Sequence, residues 1–142
     1  DIPASDIPGV QPADGVSAKI IAGTLDGVTG PVTGVVTDPV YLNLTLREDT
    51  QYTIELPPGH NAFAYVYQGS ATMGASRTFI QRGELALLTQ GAQLPVTAVD
   101  DCRFIVVAGR PLNEPIARYG PFVMNTEAEI YKAFEDYQAG KL

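Results

Sequence analysis

Chemistry needs a nucleophile, a base or a set of metal ligands, and this chain of 142 residues is short of all three. His60 is its one histidine and Cys102 its one cysteine. His60 stands in the turn Pro57-Pro58-Gly59-His60-Asn61. As a metal ligand it would have to recruit Glu55, Glu84 or a cysteine, none of them at a spacing that suggests a shared site. It reads as a turn histidine, satisfied or solvent-exposed, in preference to a ligand or a general base. Cys102 opens an apolar run beside Arg103, a cation able to lower a thiol pKa. With no partner cysteine and no catalytic histidine in view, it reads as a structural or idle thiol. Asp100 and Asp101 adjoin in a turn, and Glu127 and Glu129 open a helix. Neither pair is assigned to acid–base work, and no residue is assigned as catalytic, cofactor-binding or metal-binding.

Gly23, Gly27, Gly30 and Gly34 are dense enough to suggest a phosphate cradle. No Gly-Lys-Ser/Thr follows them and no helical pattern opens behind, so nucleotide binding lacks its parts. Lys and Arg number 9 against 16 Asp and Glu, a net charge of −7. Such a balance supplies no basic surface for phosphates or anionic lipid, which argues against direct nucleic-acid or membrane partners. A single cysteine permits no intrachain disulfide. Neither a signal-peptide core nor an apolar run of membrane-spanning length is present, so the chain reads as cytoplasmic and soluble. Asn43-Leu44-Thr45 matches a glycosylation sequon but lies inside an alternating strand pattern, and is read as unmodified.

The elements that must position these residues are mostly short strands. A single domain of this length buries roughly 70% of its unfolded surface, enough for a core without staples. Residues 1–15, with Pro3, Pro8, Pro12, Gly9 and Gly15, read as an extended linker or arm. The chain begins without methionine, at a sequence that resembles a connection preceded by more protein. Strands are expected over 18–24, 40–46, 52–56, 61–68, 78–81, 84–89 and 102–108, separated by turn residues. In 61–68, Phe63, Tyr65 and Tyr67 share one face opposite Ala62, Ala64 and Val66. The aromatic face is expected to pack in the core, with a ligand-lining role as its rival. One helix closes the run of strands: Thr126 and Glu129 have the spacing of a capping box. Ile130, Ala133, Phe134 and Tyr137 then form one apolar stripe expected to be buried, and Gly140 and Lys141 stop the helix. Many short strands and one terminal helix indicate an antiparallel sandwich or barrel.

Four segments then support a resemblance. They are residues 58–66 (Pro-Gly-His-Asn-Ala-Phe-Ala-Tyr-Val), 83–86 (Gly-Glu-Leu-Ala), 108–115 (Ala-Gly-Arg-Pro-Leu-Asn-Glu-Pro) and 118–126 (Arg-Tyr-Gly-Pro-Phe-Val-Met-Asn-Thr). Together with the closing residues 133–140, they resemble the C-terminal half of pirin-family proteins. The resemblance implies an all-β, cupin-type antiparallel β-barrel (jelly roll) with a C-terminal α-helix, occupying residues 16–142. It implies that the intact protein is a bicupin of two face-to-face barrels, and that many bacterial members are described as quercetin dioxygenases. It also implies that the iron site, three histidines and a glutamate, belongs to the N-terminal half, so no cofactor is expected in this chain.

Two function classes follow. In the first, the chain is the non-catalytic half of a metal-dependent dioxygenase, framing the other barrel. In the second, the intact protein is a regulatory protein-binding module, as pirins described as transcriptional coregulators would imply. A free-standing small-ligand barrel built on Phe63, Tyr65 and Tyr67 is a third reading. The expected partner is the absent N-terminal cupin domain. A second copy of this chain is the expected substitute, giving a homo-oligomer through the uncovered barrel face.

Overall fold

A computed structural model of the chain describes residues 2–89 and 91–141. Alternation of Val40, Leu42, Leu44 and Leu46 with polar or aromatic neighbours sends every second side chain inward. The strand they form, β5 (Val40–Leu46), lies between β2 (Val16–Ala22) and β12 (Cys102–Gly109). β1 (Gly9–Ala13) extends the sheet beyond β2, and β7 (Asn61–Gln68) and β10 (Leu85–Leu88) extend it beyond β12. The result is a six-stranded antiparallel sheet in the order β1-β2-β5-β12-β7-β10. A second, four-stranded sheet runs β6 (Gln51–Glu55), β11 (Gln93–Ala98), β8 (Ser70–Met73) and β9 (Thr78–Gln81). Both sheets contribute to one core, in which Ile20, Leu44, Ile54 and Phe104 are fully buried. The expected barrel thus takes the form of two antiparallel sheets over a common core and not of a single closed ladder.

The proline-rich arm expected over residues 1–15 is in part a strand. β1 pairs with β2, with Val10 opposite Ala18, and is bulged between Val10 and Ala13. Pro12 is tolerated there because β1 is the edge of the sheet. The glycine-rich loop holds a small hairpin, β3 (Thr24–Leu25) with β4 (Val28–Thr29). Asp26 and Gly27, at φ 50° and 76°, make a two-residue turn that demands positive φ at both positions. Gly69 is obligatory for a second reason. At φ 70°, a β-carbon there would run into the Asp101 carbonyl.

One compact unit ends at Pro111 and a second begins at Leu112. In the second, β13 (Ala117–Tyr119) and β14 (Phe122–Met124) form a hairpin followed by α1 (Glu127–Gln138). The capping box is present, with Thr126 accepting from the Glu129 amide and Glu129 from the Thr126 amide. The apolar stripe is only partly buried. Ile130 and Ala133 are covered, but Phe134 is half-exposed and Tyr137 is 66% exposed. Phe134 stacks edge-on against Phe122 and Tyr119, with centroids 4.9 and 5.5 Å away, so these aromatic rings of the hairpin are its neighbours.

Candidate functional site

His60 is neither exposed nor fully satisfied. Its side chain is 7% exposed, and Nε2 lies 2.9 Å from the Asp38 carbonyl oxygen. A carbonyl only accepts, so Nε2 carries the proton and donates. Nδ1 is buried and has no hydrogen-bond partner among the described residues. The imidazole ties the 57–60 turn to the loop before β5, where Asp38 adopts φ 46°. Glu55 and Glu84, the acids it would need as co-ligands, are engaged elsewhere. Glu55 accepts from Gln93 at 2.8 Å, and Glu84 accepts from the Gln81 amide at 3.0 Å. Among the described residues no three His, Cys, Asp or Glu side chains gather as a metal site would require. An iron held by three histidines and a glutamate, the kind the resemblance implies, therefore does not fit the described residues, whose one histidine is His60.

Cys102 is fully buried, and burial, followed by the nearby Asp100 charge, pushes its thiol up to about 11. The expected help from Arg103 does not arise, because neighbouring residues on a strand point to opposite faces. Asp100 and Asp101 are latches. The Asp100 carboxylate accepts from the Ser70 amide at 2.6 Å, and that of Asp101 from the Glu48 amide at 3.0 Å. Glu129 serves the helix cap, and its hydrogen bonds from Thr126 lower its pKa.

The surface with most to offer is the outer face of the six-stranded sheet. Ala64 and Val66 are fully buried, so Phe63, Tyr65 and Tyr67 point away from the core, contrary to their expected packing. The physical reason lies in the register. Ala64 sits opposite Val106 and Val66 opposite Phe104, and Phe104 fills the core space that an aromatic on β7 would need. Cross-strand pairing then assembles an apolar patch outside. Leu85, Tyr65 and Ile105 form one row, and Leu87, Phe63, Val107 and Tyr41 the next. Leu87 is 81% exposed and Leu85 51%. Toward β1 the same face turns polar, and a cavity of about 530 Å³ is lined there by Lys19, Asn43, Thr45, Tyr67 and Arg103 among others. Tyr67 donates to the Asn43 amide oxygen at 2.8 Å, so the sequon asparagine is engaged within the sheet.

Sequence reasoning missed Leu85, Leu87, Ile105 and Val107 as surface residues. A signal existed: β10 reads Leu-Ala-Leu-Leu, and 104–107 of β12 read Phe-Ile-Val-Val, apolar on both faces. Strands of that kind are covered on both sides, whereas one-sided strands alternate with polar residues.

The sequence profile of the pirin C-terminal cupin domain matches residues 41–142. The chain belongs to this family. A Pseudomonas aeruginosa protein named "Putative quercetin 2,3-dioxygenase" is 39% identical over 147 residues, spanning 100% of this chain and 52% of the relative. A tomato (Solanum lycopersicum) pirin-like protein is 38% identical over 139 residues, spanning 96% of the chain and 47% of the relative. In structure, the pirin domain superimposes on a quercetin 2,3-dioxygenase from Acinetobacter baumannii with a TM-score of 0.86 at 33% identity, covering 98% of this chain and 48% of the other. The chain thus spans about half the length of these relatives. Among the described residues no helix is long and apolar enough to cross a membrane.

Proposed function

We propose that this pirin domain is the non-catalytic half of a two-barrel protein that acts as a metal-dependent dioxygenase of the quercetinase type. In this reading the metal and the oxygen chemistry reside in the other, N-terminal half. The observation that carries the reading is the outer face of β5, β12, β7 and β10. A patch of seven apolar side chains in two cross-strand rows, with Leu87 81% exposed, is what a sheet presents when a second layer covers it. Support for the class of chemistry comes from the names of the relatives, which are about twice this length. The ligand-poor inventory around His60 and Cys102 supports placing the metal outside these residues.

In the proposed role the domain supplies position and not reacting groups. A rigid sheet laid against the other barrel fixes that barrel's mouth and excludes water from one side of it. The test compares the native full-length product with the 142-residue chain for bound metal and for oxygen uptake on quercetin. We expect both in the full-length protein and neither in the chain alone. One equivalent of iron on the isolated chain would refute the placement of the metal. A full-length protein lacking both metal and turnover would favour the regulatory binding module instead.

A further inference from the structure

We infer that the cationic end of the outer face, Lys19 and Arg103, receives carboxylate side chains from the protein's other half. The inference rests on the reading that this half covers the same sheet. Lys19 and Arg103 are the two cations on the strands of the two main sheets, and both belong to the six-stranded one. The register places them on one face: Lys19 is level with Asn43 and Ile105, and Arg103 with Thr45 and Ser17. Both line the same cavity. No ion pair engages either of them among the described residues.

The distribution of acids sharpens the point. The chain holds 16 Asp and Glu, yet none lies on β1, β2, β5, β7, β10 or β12. Asp14, in the turn that joins β1 to β2, is held by Arg47 at 2.7 Å. In a protein of net charge −7, this sheet therefore carries positive charge and no carboxylate of its own to answer it. Around the two cations stand donors suited to a carboxylate: the Thr45 hydroxyl and the Asn43 amide nitrogen, left to donate because its oxygen accepts from Tyr67. Level with Lys19 and Asn43 sits Ile105, a member of the apolar patch, so the cationic end continues that surface without a break. An apolar centre with a charged margin is the usual anatomy of a protein interface, and the charges at its margin select the partner and its register.

A second copy fits this margin poorly. Two-fold pairing sets the face against itself, and Lys19 and Arg103 would meet a sheet that offers cations and no acids. A different surface bearing Asp or Glu fits. The experiment is zero-length carbodiimide coupling of the native full-length protein, followed by peptide mapping. We expect the Lys19 amine to link to an Asp or Glu outside these 142 residues, and Arg103→Lys to add a second link to the same neighbourhood. Hydroxyl-radical footprinting in parallel should show Leu85 and Leu87 oxidised about fivefold more slowly in the full-length protein than in the isolated chain diluted until it is monomeric, as burial in an interface core implies. If the leucines are protected but neither amine couples, the inference fails while the covered face stands. If the leucines react equally in both, the two fail together. Mixing isotope-labelled and unlabelled protein identifies links between copies, and a Lys19 link to another copy of this chain overturns the inference.

Discussion

Replacing Leu87 by serine in the isolated chain should break its self-association. Leu87 is 81% exposed on β10, and fully covering a leucine contributes about 2 kcal/mol. Four-fifths of that is about 1.6 kcal/mol per copy. A two-fold pair uses the same patch twice, so Leu87→Ser removes about 3 kcal/mol, raising the dimer dissociation constant roughly 150-fold. Salt supplies a second arm. In such a pair Lys19 and Arg103 repel their counterparts, and the screening length falls from about 10 Å at 0.1 M to about 3 Å at 1 M salt. Raising salt should therefore tighten self-association, whereas docking onto an acidic surface would weaken. Sedimentation-velocity dilution series of both variants at the two salt concentrations measure these effects. The reasoning is refuted if Leu87→Ser moves the dissociation constant less than about threefold. A monomeric wild type that binds no hydrophobic dye refutes it equally.

Three further outcomes are expected. Thr126→Ala should cost about 1 kcal/mol through the lost cap, and Phe134→Ala about 2 kcal/mol, because its half-exposed ring has two edge-on partners and not a full enclosure. Urea melts followed by helix ellipticity check the order. Glu129, with its pKa lowered by the cap hydrogen bonds, stabilises α1 above the ordinary carboxylate range near pH 4.3, and that contribution is lost as pH falls through its own lower value. NMR titration of its carboxyl carbon should place the midpoint below the ordinary glutamate value of about 4.3, and Glu129→Gln should remove the acid sensitivity of the helix. Cys102, at about 11, is roughly one part in a thousand thiolate at pH 8, so an aromatic disulfide reagent should modify it only on unfolding. Rapid labelling of the native chain would mean that β12 opens locally.

The alternation at 40–46 made β5 legible because a strand with one side in the core writes its burial into every second residue. The capping box was legible for a similar reason, since Thr126 and Glu129 meet through local backbone alone. The family itself was legible in short segments such as 118–126, and the profile match bears it out. Other elements left no such trace. β11 contains Pro95, which tells against a central strand, yet the position is tolerated. β11 pairs with β8 only from Val96 onward, and the Pro95 carbonyl still accepts from the Gly74 amide. β13 and β14 have three residues each, too few for a period to show. The direction of the β7 aromatics was decided by tertiary structure. Periodicity says that Phe63, Tyr65 and Tyr67 share a face, but either face of an apolar strand suits the core. The choice fell to Phe104 and Val106 across the ladder, whose volume admits Val66 and Ala64 inside and sends the larger rings out. Distance along the sequence also concealed that Lys19 and Arg103 share one face of the sheet. They stand 84 residues apart, and only the order β2-β5-β12 brings them to one cavity.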